Sequence, residues 1–116
     1  MDVEAMVARR LAEATGLPAF LEVPAEPDMP DEFLTVEQTG GGGTYMDAVR
    51  LDVDCWALPK RRKRAKELAL LVQAAVPDLD EEPNVFHPAV ENVYRMNDPD
   101  TGRARYVVQV QLWVCE

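Results

Sequence analysis

The chain of 116 residues has no serine, a single histidine and only two cysteines. Without serine, a Ser-His-Asp triad and any hydroxyl nucleophile of that kind are excluded. The lone His87 stands beside Pro88 in a strand-like run. It reads as a structural or surface side chain, because no partners lie at metal-ligand spacing. Cys55 and Cys115 lack the CxxC spacing of metal and redox sites. Both end strand-like runs, and the preferred reading is buried free thiols in a reducing cytoplasm rather than a disulfide between neighbouring strand ends. No apolar run approaches the ~20 residues of a membrane span, and the start, Met1-Asp2-Val3-Glu4, is acidic where a signal peptide is basic. The expectation is a soluble protein that stays where it is made, with no cofactor, metal, membrane or small-molecule substrate.

What is present suffices for one core. With 47% apolar residues, residues 1–116 are long enough for one ordinary domain and too short for two. The formal net charge of -9 disfavours general affinity for nucleic acid. Its distribution says more than its sum, because six of the twelve basic residues fall together as Lys60, Arg61, Arg62, Lys63, Arg64 and Lys66. Acids gather at Glu26 to Glu32 and at Asp78, Asp80, Glu81 and Glu82, both proline-punctuated stretches that read as loops. Such a two-signed surface suits charged partners.

Apolar residues at Val3, Met6, Val7, Leu11 and Ala14 have the spacing of an amphipathic helix, which Gly16 and Pro18 end. Phe20 to Val23 reads as a short strand, and Phe33 to Thr39 as another. From Met46 to Ala57 the alternation is cleaner: Val49, Leu51, Val53 and Cys55 point one way, and Arg50, Asp52, Asp54 and Trp56 the other. One face is expected in the core and the other wet or covered by a partner. The intervening Gly40, Gly41, Gly42 and Gly43 predict a mobile tip on a long antiparallel hairpin. A second helix is expected from Lys60 to Val76, opened by Pro59 and stopped by Pro77. Val85 to Met96 reads as a strand interrupted at Pro88, an edge or bulge position. Asn97 to Gly102 is a turn leading into a last strand from Arg105 to Val114. The predicted fold is α+β, with a mainly antiparallel sheet of four to five strands packed against two helices.

Motifs that carry chemistry are few. Asp52 and Asp54 share a strand face, but Arg50 beside them makes an ion-pair row the simpler reading. The Asp98-Pro99-Asp100-Thr101-Gly102 turn lacks the acid spacing and closing glutamate of a calcium loop. The glycine run is no phosphate loop, since Thr44, Tyr45 and a strand follow instead of a lysine and a helix. The basic run opposes the macrodipole of the helix it opens; a solvated helix end is the commonest reading of such a run, and a compensating partner is the alternative. An acidic surface on a neighbouring copy, such as Asp78 to Glu82, and DNA phosphates are the two candidates.

A resemblance rests on Pro30 to Gly41, on Val49-Arg50-Leu51-Asp52-Val53-Asp54-Cys55-Trp56-Ala57, on the Ala65-Lys66-Glu67-Leu68-Ala69 helix, and on the Asp98 to Tyr106 hairpin. In order and spacing these stretches resemble the tail terminator, or tail completion, proteins of long-tailed bacteriophages, in the form common among actinobacterial phages and prophages. The resemblance implies a non-enzymatic structural protein of the virion, made in the bacterial cytoplasm and placed at the head-proximal end of the tail. It implies a hexameric ring that caps the tail tube, ends its polymerisation and offers a surface to the head-tail connector, with DNA met only as it passes through the lumen. The Lys60 to Lys66 run departs from the family pattern and inherits no role from it. The intersubunit candidates are Arg50, Asp52, Asp54 and Trp56 on the strand, the basic run, and Asp78, Asp80, Glu81 and Glu82. A head-side connector of the same virion and a small nucleic-acid-binding module are the alternatives.

Overall fold

A computed structural model describes residues 1–41 and 46–115, with the backbone alone for Met46. The elements run α1 (Val3–Thr15), β1 (Ala19–Phe20), β2 (Phe33–Gly40), β3 (Met46–Pro59), α2 (Arg62–Ala75), a 3-10 helix (Val76–Glu81), β4 (Val85–Arg95) and β5 (Arg103–Cys115). The strands form one sheet in the order β1-β2-β3-β5-β4. All neighbours are antiparallel except β1 and β2, which pair in parallel. The α+β architecture read from the sequence is thus the observed one. No helix among the described residues is long and apolar enough to cross a membrane.

Period-two patterning places the core. Val49, Leu51, Val53, Cys55 and Ala57 of β3 are buried beside Val108, Val110 and Leu112 of β5. Onto this face pack Val7 and Leu11 of α1 and Leu68, Ala69 and Val72 of α2. Helix α1 begins where the Asp2 carboxylate accepts from the Ala5 N–H at 3.0 Å, and ends where Gly16, at φ 76°, donates to the Ala12 carbonyl. Helix α2 has no such start. Its N-cap, Arg61, makes no side-chain capping bond, and its first turn is cationic. Each such charge costs about 0.3–1 kcal/mol at low salt. Burying one leucine or valine contributes roughly 1.5–3 kcal/mol, so the fully buried Leu68 and Val72 already offset much of that cost.

Three sequence expectations are corrected. The strand expected over Phe20 to Val23 stops at Phe20, because Leu21, Glu22 and Val23 leave the sheet edge and are exposed. The second helix starts at Arg62 rather than Lys60, whose φ of 66° is not helical. Pro77 does not stop the chain's helical course. It opens the 3-10 helix, whose buried Val76 and Leu79 turn the expected acidic loop into an anchored element. The cysteines cannot meet: Cys55 lies opposite Tyr106 and Cys115 opposite Met46, roughly 30 Å apart along the strands. Both thiols are free, as the sequence reading preferred, with Cys55 buried and Cys115 half-buried.

Strand β4 is an edge strand, as Pro88 suggested, with register shifts between Phe86 and Ala89 and between Val90 and Asn92. The opposite edge, β1, is two residues long. The predicted tip of the β2–β3 hairpin falls partly on Gly42 and Gly43, which lie outside the described residues. At its base, the Glu4 carboxylate accepts from the Gln38 N–H at 2.7 Å, tying α1 to β2. Gly41 has φ 81°, and a Cβ there would stand 1.8 Å from the Ala48 carbonyl oxygen, whereas one at Gly40 would meet nothing closer than 4.0 Å. Gly41→Ala is therefore expected to destabilise the fold by about 1–3 kcal/mol and Gly40→Ala by less than 1 kcal/mol. Urea unfolding of the two variants checks this, and equal losses would contradict the close approach at Gly41.

Candidate docking surfaces

Both helices cover one face of the sheet, so the side chains of opposite parity form a second face that carries no helix. The register gives it rows. Ala48, Trp113 and Phe86 lie side by side across β3, β5 and β4, followed by Arg50 and Gln111 with Ala89. Next come Glu37, Asp52, Gln109 and Asn92, and then Thr35, Asp54, Val107 and Tyr94. Phe33, Trp56 and Arg105 close this end.

The far end is sealed by an aromatic stack. Phe33 and Trp56 rings lie 5.4 Å apart and 7° from parallel, with Phe20 edge-on to Phe33. The Arg105 guanidinium sits 4.7 Å from the Trp56 ring and 3.5 Å from the Asp54 carboxylate. Trp56, expected as an exposed anchor for a neighbouring copy, is 3% exposed and donates its indole N–H to Thr35 at 3.0 Å. Its contacts are thus already made within the chain. Leu21, Glu22 and Val23 line a groove with Thr35, Asp54, Trp56 and Arg105, which is how the chain leaving β1 borders this end.

Toward the middle the face is ionic. Arg50 Nε stands 3.6 Å from Glu91, both side chains largely exposed. Asp52 accepts from the Gln109 amide at 3.4 Å. Burial pushes the Asp54 carboxyl up to about 6, reinforced by Asp52 and Glu37 and opposed by Arg105. Burial and the same two aspartates also raise the Tyr94 hydroxyl. Among the described residues, no group of three His, Cys, Asp or Glu side chains is arranged to hold a metal ion.

The second charged surface is the head of α2. Lys60, Arg61, Lys63 and Arg64 line a groove of about 670 Å³ with Asp31, Glu32, Leu58 and Glu67. The basic run is not uniform. Arg64 is bound in cis by Glu32, Nε to Oε2 at 2.6 Å and Nη2 to Oε1 at 3.0 Å, which lowers the Glu32 carboxyl. Lys60, Arg61, Arg62 and Lys63 point to solvent. Farther along α2, Leu70 and Leu71 are 55% and 43% exposed.

The acidic stretch after α2 divides likewise. Glu82 accepts from Arg10 Nε at 2.7 Å and from Arg9, and Glu81 stands 3.9 Å from Arg10, joining the 3-10 helix to α1. Asp78 and Asp80 are exposed. Basic head and acidic end occupy opposite ends of α2, roughly 20 Å apart, so they do not neutralise one another within a chain. His87 is exposed in the first β4 bulge at φ 53°. It is far along the sheet from Cys55, whose thiol burial pushes well above its ordinary range.

Composition and alternation located Arg50, Asp52 and Asp54 on the open face but not the aromatic pair at its end. Trp113 and Phe86 are 39% and 44% exposed and adjacent across β5 and β4. Outward parity in β5 was the available signal for Trp113. No protein-family model matches the chain, and no curated protein matches it either.

The raised Asp54 pKa fixes a sign. Because the folded state holds the proton more tightly than the unfolded chain, its stabilising contribution is complete below about pH 4 and is lost as pH rises through about 6. The difference is roughly 3 kcal/mol. Asp54→Asn is expected to abolish that decline, measured as unfolding free energy between pH 4 and pH 7.5. A variant retaining the wild-type slope would assign the decline to other groups.

Proposed function

We propose that the chain is a structural, ring-forming protein of the tail-terminator kind. In this reading a hexameric ring caps a bacteriophage tail tube, ends its polymerisation and presents a surface to the head-tail connector. The observation that supports it is the pair of unlike charged surfaces, the open sheet face and the head of α2, on separate sides of one small domain. A patch that meets a different patch on the next copy gives a heterologous interface, which closes into a ring when the rotation permits. The motif order from Pro30 to Tyr106 supports the same reading. The exposed cations of α2 favour a second one, a nucleic-acid-binding module, in which Arg61 and Arg62 would contact phosphate.

Electron microscopy of the purified protein mixed with tail tubes of the same virion separates the two. Tubes capped at one end, with free assemblies of six times the 13.0 kDa chain mass, are the expected result. Arg61→Glu with Arg62→Glu leaves the Arg64–Glu32 pair in place and is expected to impair capping while shifting stability by less than about 0.5 kcal/mol. Uncapped tubes together with salt-sensitive DNA binding would replace the terminator reading with the second one.

A further inference from the structure

The outward stripe of α2 carries three kinds of side chain in order. Lys63, Glu67 and Leu70 follow at four- and three-residue spacing, so they lie on one line of the helix surface, opposite the buried Ala65, Leu68, Ala69 and Val72. From Leu70, Glu67 lies roughly 4.5 Å and Lys63 roughly 10 Å along the axis. Leu71 broadens the apolar end and Lys66 the basic one. All five side chains are exposed, and among the described residues none forms a hydrogen bond or ion pair with another element.

The open sheet face carries the complementary order. Its apolar row of Ala48, Trp113 and Phe86 is followed by the cationic Arg50 and then by the anionic Asp52 and Glu37. Two residues of strand separate successive rows, placing Arg50 roughly 7 Å and Asp52 roughly 13 Å from the apolar row. Apolar, acidic, basic on the helix thus faces apolar, basic, acidic on the sheet. The mismatch of about 3 Å at the far end lies within the reach of a lysine side chain. Arg50 is available for this exchange, since its bond to Glu91 is long and solvent-exposed.

From this match we infer that the outer stripe of α2 on one copy docks on the open sheet face of a second copy. Leu70 and Leu71 lie on Trp113 and Phe86, Glu67 meets Arg50, and Lys63 meets Asp52. Within one chain the two surfaces lie on opposite sides of the sheet, so the contact is made only between copies and leaves one unused surface of each kind at the ends of any open chain of copies. The inference rests on the ring reading and specifies its interface.

Complementation tests it. A helix-face variant, Lys63→Glu with Leu70→Glu, and a sheet-face variant, Asp52→Lys with Trp113→Gln, are each expected to remain at 13.0 kDa in analytical ultracentrifugation. Mixed in equal amounts, they retain one intact surface of each kind and are expected to form a species of twice that mass. Sedimentation of either variant as wild-type assemblies, or a mixture that stays at chain mass, overturns the interface. A gentler pair guards against misfolding. Glu67→Arg and Arg50→Glu are each expected to weaken association at least tenfold, and to restore it to within about threefold when combined in one chain. Failure of that restoration also overturns the proposal. Rings that persist in all these variants remove this interface and leave the ring reading standing. A wild-type chain that stays at 13.0 kDa at millimolar concentration, or that binds DNA instead of itself, removes the interface, and capping of tubes then decides the ring reading separately.

Discussion

The antiparallel pairing of β3 with β5 sets the position of everything else in the molecule. It runs from Met46 opposite Cys115 to Pro59 opposite Arg103 and aligns two strands whose parities agree along most of that length. Leu51 beside Val110 and Val53 beside Val108 make one face a floor for both helices, while Asp52 beside Gln109 makes the other polar. A slip of one residue would turn Asp52 and Asp54 toward Leu68 and Val72, where unpaired carboxylates are costly to bury. The register is therefore enforced by both faces at once. Helix packing and surface charge order have the same origin.

That dependence explains what the sequence revealed. Alternation from Val49 to Cys55 disclosed the faces of β3, because period two is a local property that needs no knowledge of partners. The fate of Trp56 was hidden, since alternation names a face without saying what lies across it. Stacking on Phe33 and the approach of Arg105 depend on neighbours 23 and 49 positions away in the chain. The Phe20 strand failed for the opposite reason. Its apolar residues look like a strand, yet only Ala19 and Phe20 have a partner in β2. Pro77 misled because a proline that ends an α-helix is also well suited to the first turn of a new one.

Charge shows the same division between local and distant information. The blocks at Lys60 to Lys66 and Asp78 to Glu82 read in sequence as uniform patches. Folding sorts them. Arg64 turns to Glu32, and Glu82 to Arg9 and Arg10, across separations of 32 and 72 or more residues. Those pairs fasten loops and helices of the same chain. The cations and acids left outside them, together with Trp113, Phe86, Leu70 and Leu71, make up the surface a partner would meet. A candidate site defined by composition alone mixes the two groups.

The sheet's borders bear on how such a chain behaves at high concentration. One border is a two-residue strand, and the other carries two register shifts, the first of them spanning Pro88 and His87, which has positive φ. Beyond β1 the Gln38 N–H is taken by Glu4, and β4 is broken by its register shifts, so each border interrupts the ladder of unpaired amides that templates cross-β growth. At high local concentration, as during synthesis, borders of this kind disfavour edge-to-edge fibril nucleation.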